Sequence, residues 1–185
     1  MPGSDQAKQG AAALADLFET HYERVVRYIA VRTGNRALAE ELAADVFTRA
    51  LERIDTFQWR GIPMQAWLFR IAHNLAVDHL RSNSRHKVAP LEDADNVASA
   101  DNPEAEALQT IQREELLQAM ESLTPGQREI VSLRFFGGLT SAEAAAVMKR
   151  SDGAVRELQS SALKSLRRIL GPQGQESFEV KEQRP

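Results

Sequence analysis

The stretch from 67 to 81, WLFRIAHNLAVDHLR, carries side chains that could contact a nucleic acid. Leu68, Ile71 and Leu75 recur at helical spacing and predict one buried stripe of an amphipathic helix. The polar residues on its other faces, three or four positions apart, are Arg70, Asn74, Asp78 and Arg81. Because Arg and Asn can bind phosphates and base edges, this pattern suggests a nucleic-acid surface.

A second nucleic-acid pattern begins at Thr140 and ends near Leu166. It predicts a short Ala-rich helix, a tight turn and a longer helix capped by Ser151, the layout of a helix-turn-helix. In such a motif Arg can bind guanine and Gln can bind adenine in the major groove. The predicted DNA-contacting residues are Ser151, Asp152, Arg156, Glu157, Gln159, Ser160 and Lys164. A helical hairpin with a solvated charged face would give the same pattern, so that alternative stays open.

The loop from Phe57 to Trp67, which leads into the helix predicted over 67–81, combines aromatic and basic residues. Exposed aromatic rings beside cations can stack on unpaired bases. Trp59, which lies between Gln58 and Arg60, is the predicted exposed ring, whereas Phe57 and Trp67 are predicted to be core residues.

Other chemistries find little support. Cysteine is absent, which excludes disulfides and cysteine-ligated metal sites. A metal site on this helix would need His73, Asp78 and His79 on one face. Asp78 and His79 lie five and six positions after His73, a spacing that does not bring all three onto one face, so no metal site is predicted. The sequence contains no Gly-rich phosphate loop, no nucleophile elbow and no paired catalytic acids. We therefore expect no cofactor and no catalytic residue.

Charge is unevenly distributed along the 185 residues, whose net charge is −3. The segment 91–115 contains eight acidic residues and one basic residue, whereas 149–170 contains six basic and two acidic residues. The overall charge therefore hides a basic end that suits DNA. With neither a secretory signal nor an apolar run long enough to cross a bilayer, the sequence predicts a cytoplasmic protein without membrane insertion.

Helical periodicity dominates and predicts an all-α fold of two small helical domains joined by a flexible acidic linker. A flexible N-terminus is expected over 1–13, and the first helix is predicted from about Ala13 to Arg32. The predicted N-terminal bundle spans 14–84, and the predicted C-terminal domain, which contains the helix-turn-helix, spans 108–170. The linker is expected over 85–107 and a polar tail over 171–185.

Three segments in this order resemble the bacterial RNA polymerase sigma factors of the extracytoplasmic-function (ECF) type. Residues 39–51, AEELAADVFTRAL, resemble the helix that docks on core RNA polymerase. Residues 67–81 resemble the segment that handles the promoter −10 element, and 123–170 resemble the domain that reads the −35 element. The resemblance covers about residues 14–170.

The resemblance implies a non-catalytic subunit that binds core polymerase and directs promoter-specific initiation. The residues that it implies for polymerase binding are Glu41, Asp45 and Phe47. For the melted −10 element they are Trp59, Arg60, Arg70, Asn74 and Arg81. An anti-sigma factor is expected as a further partner, by resemblance alone.

The sequence departs from the family pattern at three positions. Ala44 stands where Gln is common, and Lys149 stands where Gly is usual, which allows the turn of the helix-turn-helix to differ locally. Ser161 replaces a common phosphate-contacting Arg, which increases the importance of Arg156 and Lys164. The alternative function is a stand-alone regulator that uses only the helix-turn-helix and would have no need of Glu41 and Asp45 on an exposed face.

Overall fold

The computed structural model describes residues 3–54, 61–85 and 114–171, and all the regular elements within these ranges are helices. The N-terminal unit consists of α1 (Gly3–Thr33), α2 (Arg36–Arg53) and α3 (Met64–Arg85). This agrees with the predicted all-α fold and its first helical bundle.

The C-terminal unit begins with α4, whose described part is 114–121. It continues with α5 (Pro125–Val131), which runs directly into a π-helical segment (Ser132–Phe136). The helices α6 (Ser141–Met148) and α7 (Asp152–Leu170) complete the unit. The predicted linker lies outside the described residues, except for the last residue of α3.

The boundary between α1 and α2 follows the local sequence. The N–H of Gly34, at φ +71°, donates to the Ala30 carbonyl at 2.8 Å, and Gly tolerates this left-handed backbone without a Cβ clash. Asn35 caps α2 by accepting a hydrogen bond from the Leu38 N–H at 2.9 Å, as predicted. The predicted start of α1 near Ala13 was wrong, because the helix already begins at Gly3. A run of three Ala residues, 11–13, favours this extension.

Two capping boxes fix the helices of the C-terminal unit. Thr124 accepts from the Gln127 N–H while the Gln127 side chain accepts from the Thr124 N–H. Thr140 and Glu143 form the same reciprocal pair at the start of α6. Both were predicted from the spacing of Thr and Gln or Glu, because each box satisfies two backbone donors that a helix start leaves unpaired.

The two units pack against each other, and one apolar core runs through both. At this contact, a Cβ built on Gly137 would lie 2.7 Å from Cε1 of the fully buried Phe69. Only a residue without a side chain fits there. α3 lies against α6, and α1 lies against the π-helical segment. None of the helices in the described ranges is both long enough and apolar enough to cross a bilayer.

Candidate nucleic-acid interface

The helix α7 presents one buried face and one polar face. Val155, Ala162, Leu163 and Leu166 are buried, and α7 packs on α5 and α6. Ser151 caps the helix, since its Oγ accepts a hydrogen bond from the Ala154 N–H at 3.2 Å. The apolar face thus fixes the helix on the unit and leaves the polar face available to a ligand.

The turn between α6 and α7 is built around Lys149, which adopts a left-handed conformation with φ 53° and ψ 46°. Its N–H and that of Arg150 both donate to the Ala145 carbonyl and close the end of α6. Lys149, at the position where the resemblance led us to expect Gly, thus adopts a left-handed backbone that Gly adopts at lower cost. A non-Gly residue in this region costs about 1–2 kcal/mol, which the neighbouring packing must offset.

A shallow groove of about 340 Å³ runs along the polar face of α7. We call it the α7 groove. Its lining residues are Ser141, Arg156, Gln159, Ser160, Leu163, Lys164 and Arg167. The three charged residues among them are all basic, which favours binding of a polyanion. Four of the predicted DNA-contacting residues come together here: Arg156, Gln159, Ser160 and Lys164.

The prediction did not include Arg167 and Ser141 as site residues. Arg167 lies three positions after Lys164, and Lys164 lies eight positions after Arg156, so all three share one helix face. This spacing could have revealed Arg167. Ser141 reaches the groove from α6, and the spacing along α7 carries no information about it.

Two groove residues already have partners, Arg156 and Gln159. Arg156 Nη2 lies 2.8 Å from Asp152 Oδ2 one turn earlier, with both side chains well exposed. Arg134 donates from Nε to Gln159 Oε1 at 3.1 Å, which orients that amide. Because the exposed ion pair contributes little to stability, Arg156 can exchange Asp152 for a DNA acceptor at small cost. Glu157 is exposed on α7 beside Arg156 but does not line the groove.

The predicted −10 residues on α3 have different surroundings. Asn74 and Arg81 are exposed. Arg70 is half-buried, and its Nη2 donates to the Ala146 carbonyl of α6 at 2.7 Å. Its guanidinium is therefore engaged by the C-terminal unit. Trp59 and Arg60 lie outside the described residues.

The predicted polymerase-binding residues on α2 divide into two groups. Glu41 and Asp45 are exposed, one turn apart. Phe47, however, is only 7% exposed, and its ring centroid lies 4.9 Å from that of Phe18 and 6.0 Å from that of Tyr22. Phe47 is thus a core residue that supports α2, and its assignment as a surface contact needs correction. The half-exposed Phe18 is the most exposed ring of this cluster.

His73 of α3 serves the scaffold. His73 Nδ1 lies 3.0 Å from Oε1 of Glu129, a buried carboxylate of α5. Burial and the nearby cations Arg32, Arg81 and Lys149 lower the pKa of His73 to about 4. The neutral imidazole can therefore donate its Nδ1 proton to Glu129. No group of three potential metal ligands among His, Cys, Asp and Glu occurs in the described parts of the chain.

Comparison with known proteins agrees with this arrangement. Residues 17–86 match the family model of sigma-70 region 2, and residues 119–168 match that of sigma-70 region 4. The first match contains α2 and α3, and the second contains α5, α6 and all but the last two residues of α7. The α7 groove therefore lies in the segment that matches region 4.

Two relatives of the chain are ECF RNA polymerase sigma factors. The chain is 40% identical over 168 residues to the ECF RNA polymerase sigma factor BldN of Streptomyces coelicolor, an alignment that covers 90% of this chain and 64% of BldN. The chain thus spans less than two thirds of the length of that relative. It is 32% identical over 160 residues to the ECF RNA polymerase sigma factor SigD of Mycobacterium bovis, with 84% of this chain and 76% of SigD covered.

A solved structure has the same fold. The sigma factor RpoE of Bartonella quintana, in its co-crystal structure with the anti-sigma factor NepR, superposes with a TM-score of 0.67 at 20% identity. The alignment covers 84% of this chain and 95% of that one. The motifs, the two matched regions and the similarity to SigD lead to one conclusion: the chain belongs to the family of ECF RNA polymerase sigma factors.

Proposed function

We propose that this protein binds core RNA polymerase and directs transcription from promoters that it selects through their −35 and −10 elements. The observation that carries the proposal is the basic α7 groove, formed by the helix-turn-helix of the segment that matches sigma-70 region 4. Family membership favours this function over that of a stand-alone regulator. In this proposal the chain is a non-catalytic subunit, and the polymerase performs the chemistry in the cytoplasm.

In this proposal the α7 groove binds duplex −35 DNA. Arg156 and Gln159 have the side chains that recognise guanine and adenine edges in a major groove. Lys164 and Arg167, further along the same face, bind the phosphate backbone. Ser151 serves as the helix cap, and the N-terminal end of α7 enters the major groove of the DNA as recognition helices do.

The N-terminal unit handles the melted −10 element. Asn74 and Arg81 on α3 are exposed and can bind the strand. Trp59 is proposed to stack on an unpaired base, with Arg60 on the neighbouring phosphate. Opening a base costs a few kcal/mol, which stacking and pocket contacts offset.

The exposed carboxylates of α2, Glu41 and Asp45, are proposed to contact core polymerase. They lie one turn apart on the same face, which suits a basic partner surface. An anti-sigma factor is proposed as a regulatory partner, since the RpoE structure contains the anti-sigma factor NepR.

Start-site mapping tests the proposed function. The purified chain is mixed with core polymerase and a library of genomic fragments, and the 5′ ends of the transcripts are sequenced. We expect start sites preceded by two common sequence elements, absent when core polymerase acts alone. Identical start sites with and without the chain would contradict the proposal.

A further inference from the structure

Lys149 and Arg150 form the turn between α6 and α7, and the proposed function gives neither of them a role. Lys149 adopts a left-handed backbone, which is unfavourable for a residue with a Cβ. Both side chains are exposed, and neither has a hydrogen-bond or ion-pair partner in the part of the chain that the structure describes. A strained position that no internal contact explains points to a role in binding.

The end of α6 places this turn beside α3. Arg70 Nη2 of α3 donates to the Ala146 carbonyl of α6 at 2.7 Å, three positions before Lys149. On the next turn of α3, burial lowers the pKa of His73, and the charges of Arg81 and Lys149 are among those that lower it further. Cations of both units therefore lie near the same imidazole.

The side of α3 next to the turn carries two exposed polar residues, Asn74 and Arg81. They lie four and eleven positions after Arg70, so the helical period brings all three close to one line along the helix. Asp78, the one acidic residue of α3, lies further round the helix from Arg70. Glu129 of α5 is buried and already paired with an arginine of α1. Little acidic charge therefore opposes the cations on this side.

We propose that the protein, with its two units packed together, binds a single strand of nucleic acid across both units in the absence of polymerase. The binding surface consists of Asn74 and Arg81 of α3 with Lys149 and Arg150 of the turn, and we call it the α3–turn surface. Its three cations bind phosphates, and the Asn74 amide binds the edge of an unpaired base. The role of α3 rests on the proposed function, whereas the role of the turn and the independence from polymerase go beyond it.

An unpaired strand suits the α3–turn surface better than a duplex does. Its backbone bends freely, so it can follow phosphate-binding groups that lie on two elements, and its base edges are accessible to an amide. A duplex presents its base edges only within its grooves, and the element of this chain with the layout to enter a groove is α7. The strand and the −35 duplex thus have different sites.

Fluorescence anisotropy with the full chain and no polymerase measures strand binding. The probes are a short DNA oligonucleotide, an RNA oligonucleotide of the same sequence and a DNA duplex of that sequence. Lys149→Gly removes the charge and relieves the strained backbone, whereas Lys149→Arg keeps the charge. Arg150→Gln and Arg81→Gln each remove one charge from the surface. Arg168→Gln, exposed on α7 outside the α7 groove, is the matched control.

We expect Lys149→Gly, Arg150→Gln and Arg81→Gln each to weaken strand binding by about fivefold. Each should also lower the slope of log affinity against log salt by about 0.7. Arg168→Gln should change the affinity by less than about twofold, because salt screens a distant charge. Lys149→Arg should bind as wild type does. Binding of either oligonucleotide supports the surface, and the tighter of the two identifies the strand that it takes.

Thermal melts separate binding from structure. Lys149→Gly should have a Tm equal to or above that of wild type, because Gly adopts the left-handed backbone more easily. A purely structural role for Lys149 would therefore give no loss of strand affinity in this variant. Far-UV circular dichroism verifies that each variant is folded.

Four results would overturn the α3–turn surface. Wild type does not bind either strand, or Lys149→Gly and Arg150→Gln bind as tightly as wild type, or Arg168→Gln loses as much affinity as they do. The fourth is tighter binding of the duplex with the same dependence on Lys149. The proposed function is tested separately with core polymerase: identical start sites with and without the chain would contradict it whatever the strand assay gives.

Discussion

Arg156 projects from α7 into a groove whose charged residues are all basic, and its exposed ion pair with Asp152 is easily exchanged. Lys164 and Arg167 follow on the same face. The three cations differ in position along the helix, and the N-terminal part of a recognition helix is the part that reaches base edges. Specificity should therefore depend more on Arg156 than on the later two.

Arg156→Ala should weaken binding to the −35 duplex by about 1–3 kcal/mol and relax the base preference at one position. Arg168→Ala, exposed on α7 outside the groove, is the control and should have a smaller effect. Fluorescence anisotropy with a set of single-base variants of the duplex measures both. An equal loss on all sequences would assign Arg156 to a phosphate, and no loss would remove it from the interface.

Asp45→Arg reverses a charge on the exposed face of α2. If this face docks on a basic surface of core polymerase, affinity for core should fall at least about tenfold. Glu115→Arg makes the same charge change at an exposed position of α4 and should leave core affinity unchanged. Titration of labelled chain with core polymerase measures the affinity. Equal affinities of Asp45→Arg and wild type would refute the assignment of α2.

Helix starts were predictable from the sequence, because caps are local. Thr124, Thr140 and Ser151 each satisfy backbone donors within three residues, so spacing alone identifies them. The π-helical segment after α5 was not predicted, since Ser132–Phe136 has the composition of an ordinary helix. Phe47 belongs to the apolar set of α2, but the rings that it meets, Phe18 and Tyr22 of α1, are distant in sequence and were not predicted.

At Gly137 the packing between neighbouring elements leaves no room for a side chain. Gly137→Ala should lower the free energy of unfolding by about 1–3 kcal/mol, because the added methyl meets Phe69 and the Leu133 carbonyl. Gly153→Ala, with no atom near the added Cβ, should raise it by about 0.5 kcal/mol through helix propensity. Urea unfolding of both variants measures the difference. A destabilisation of the two variants by similar amounts would contradict the packing argument.

At the scale of the whole molecule, the two units are held together by side chains that are far apart in the sequence. Glu129 meets Tyr28 and Arg32 of α1 and His73 of α3, and no periodicity or local motif brings those positions together. His73 was predicted only to be outside any metal site, and its partner Glu129 was not predicted. The two-unit organisation was predictable from the apolar periodicity, whereas the contact between the units was not.

His73 makes the stability of the folded chain sensitive to acid. Its pKa is lowered from 6.5 to about 4 in the folded protein, so the unfolded chain binds more protons between these values. The free energy of unfolding should be highest above pH 6.5 and fall as the pH drops towards 4. His73→Gln should reduce this slope without abolishing it, because burial also lowers the pKa of His21. Urea unfolding across this pH range measures the slope, and equal slopes in both proteins would contradict the account.

Promoter-dependent transcription tests the central claim most directly. Run-off transcription uses core polymerase, this chain and two templates that differ only in the −35 element found by start-site mapping. The account predicts a run-off product from the intact template and a strong reduction when the −35 element is scrambled, with no product from core alone. Equal amounts of product from both templates, or none from either in the presence of active core, would contradict it.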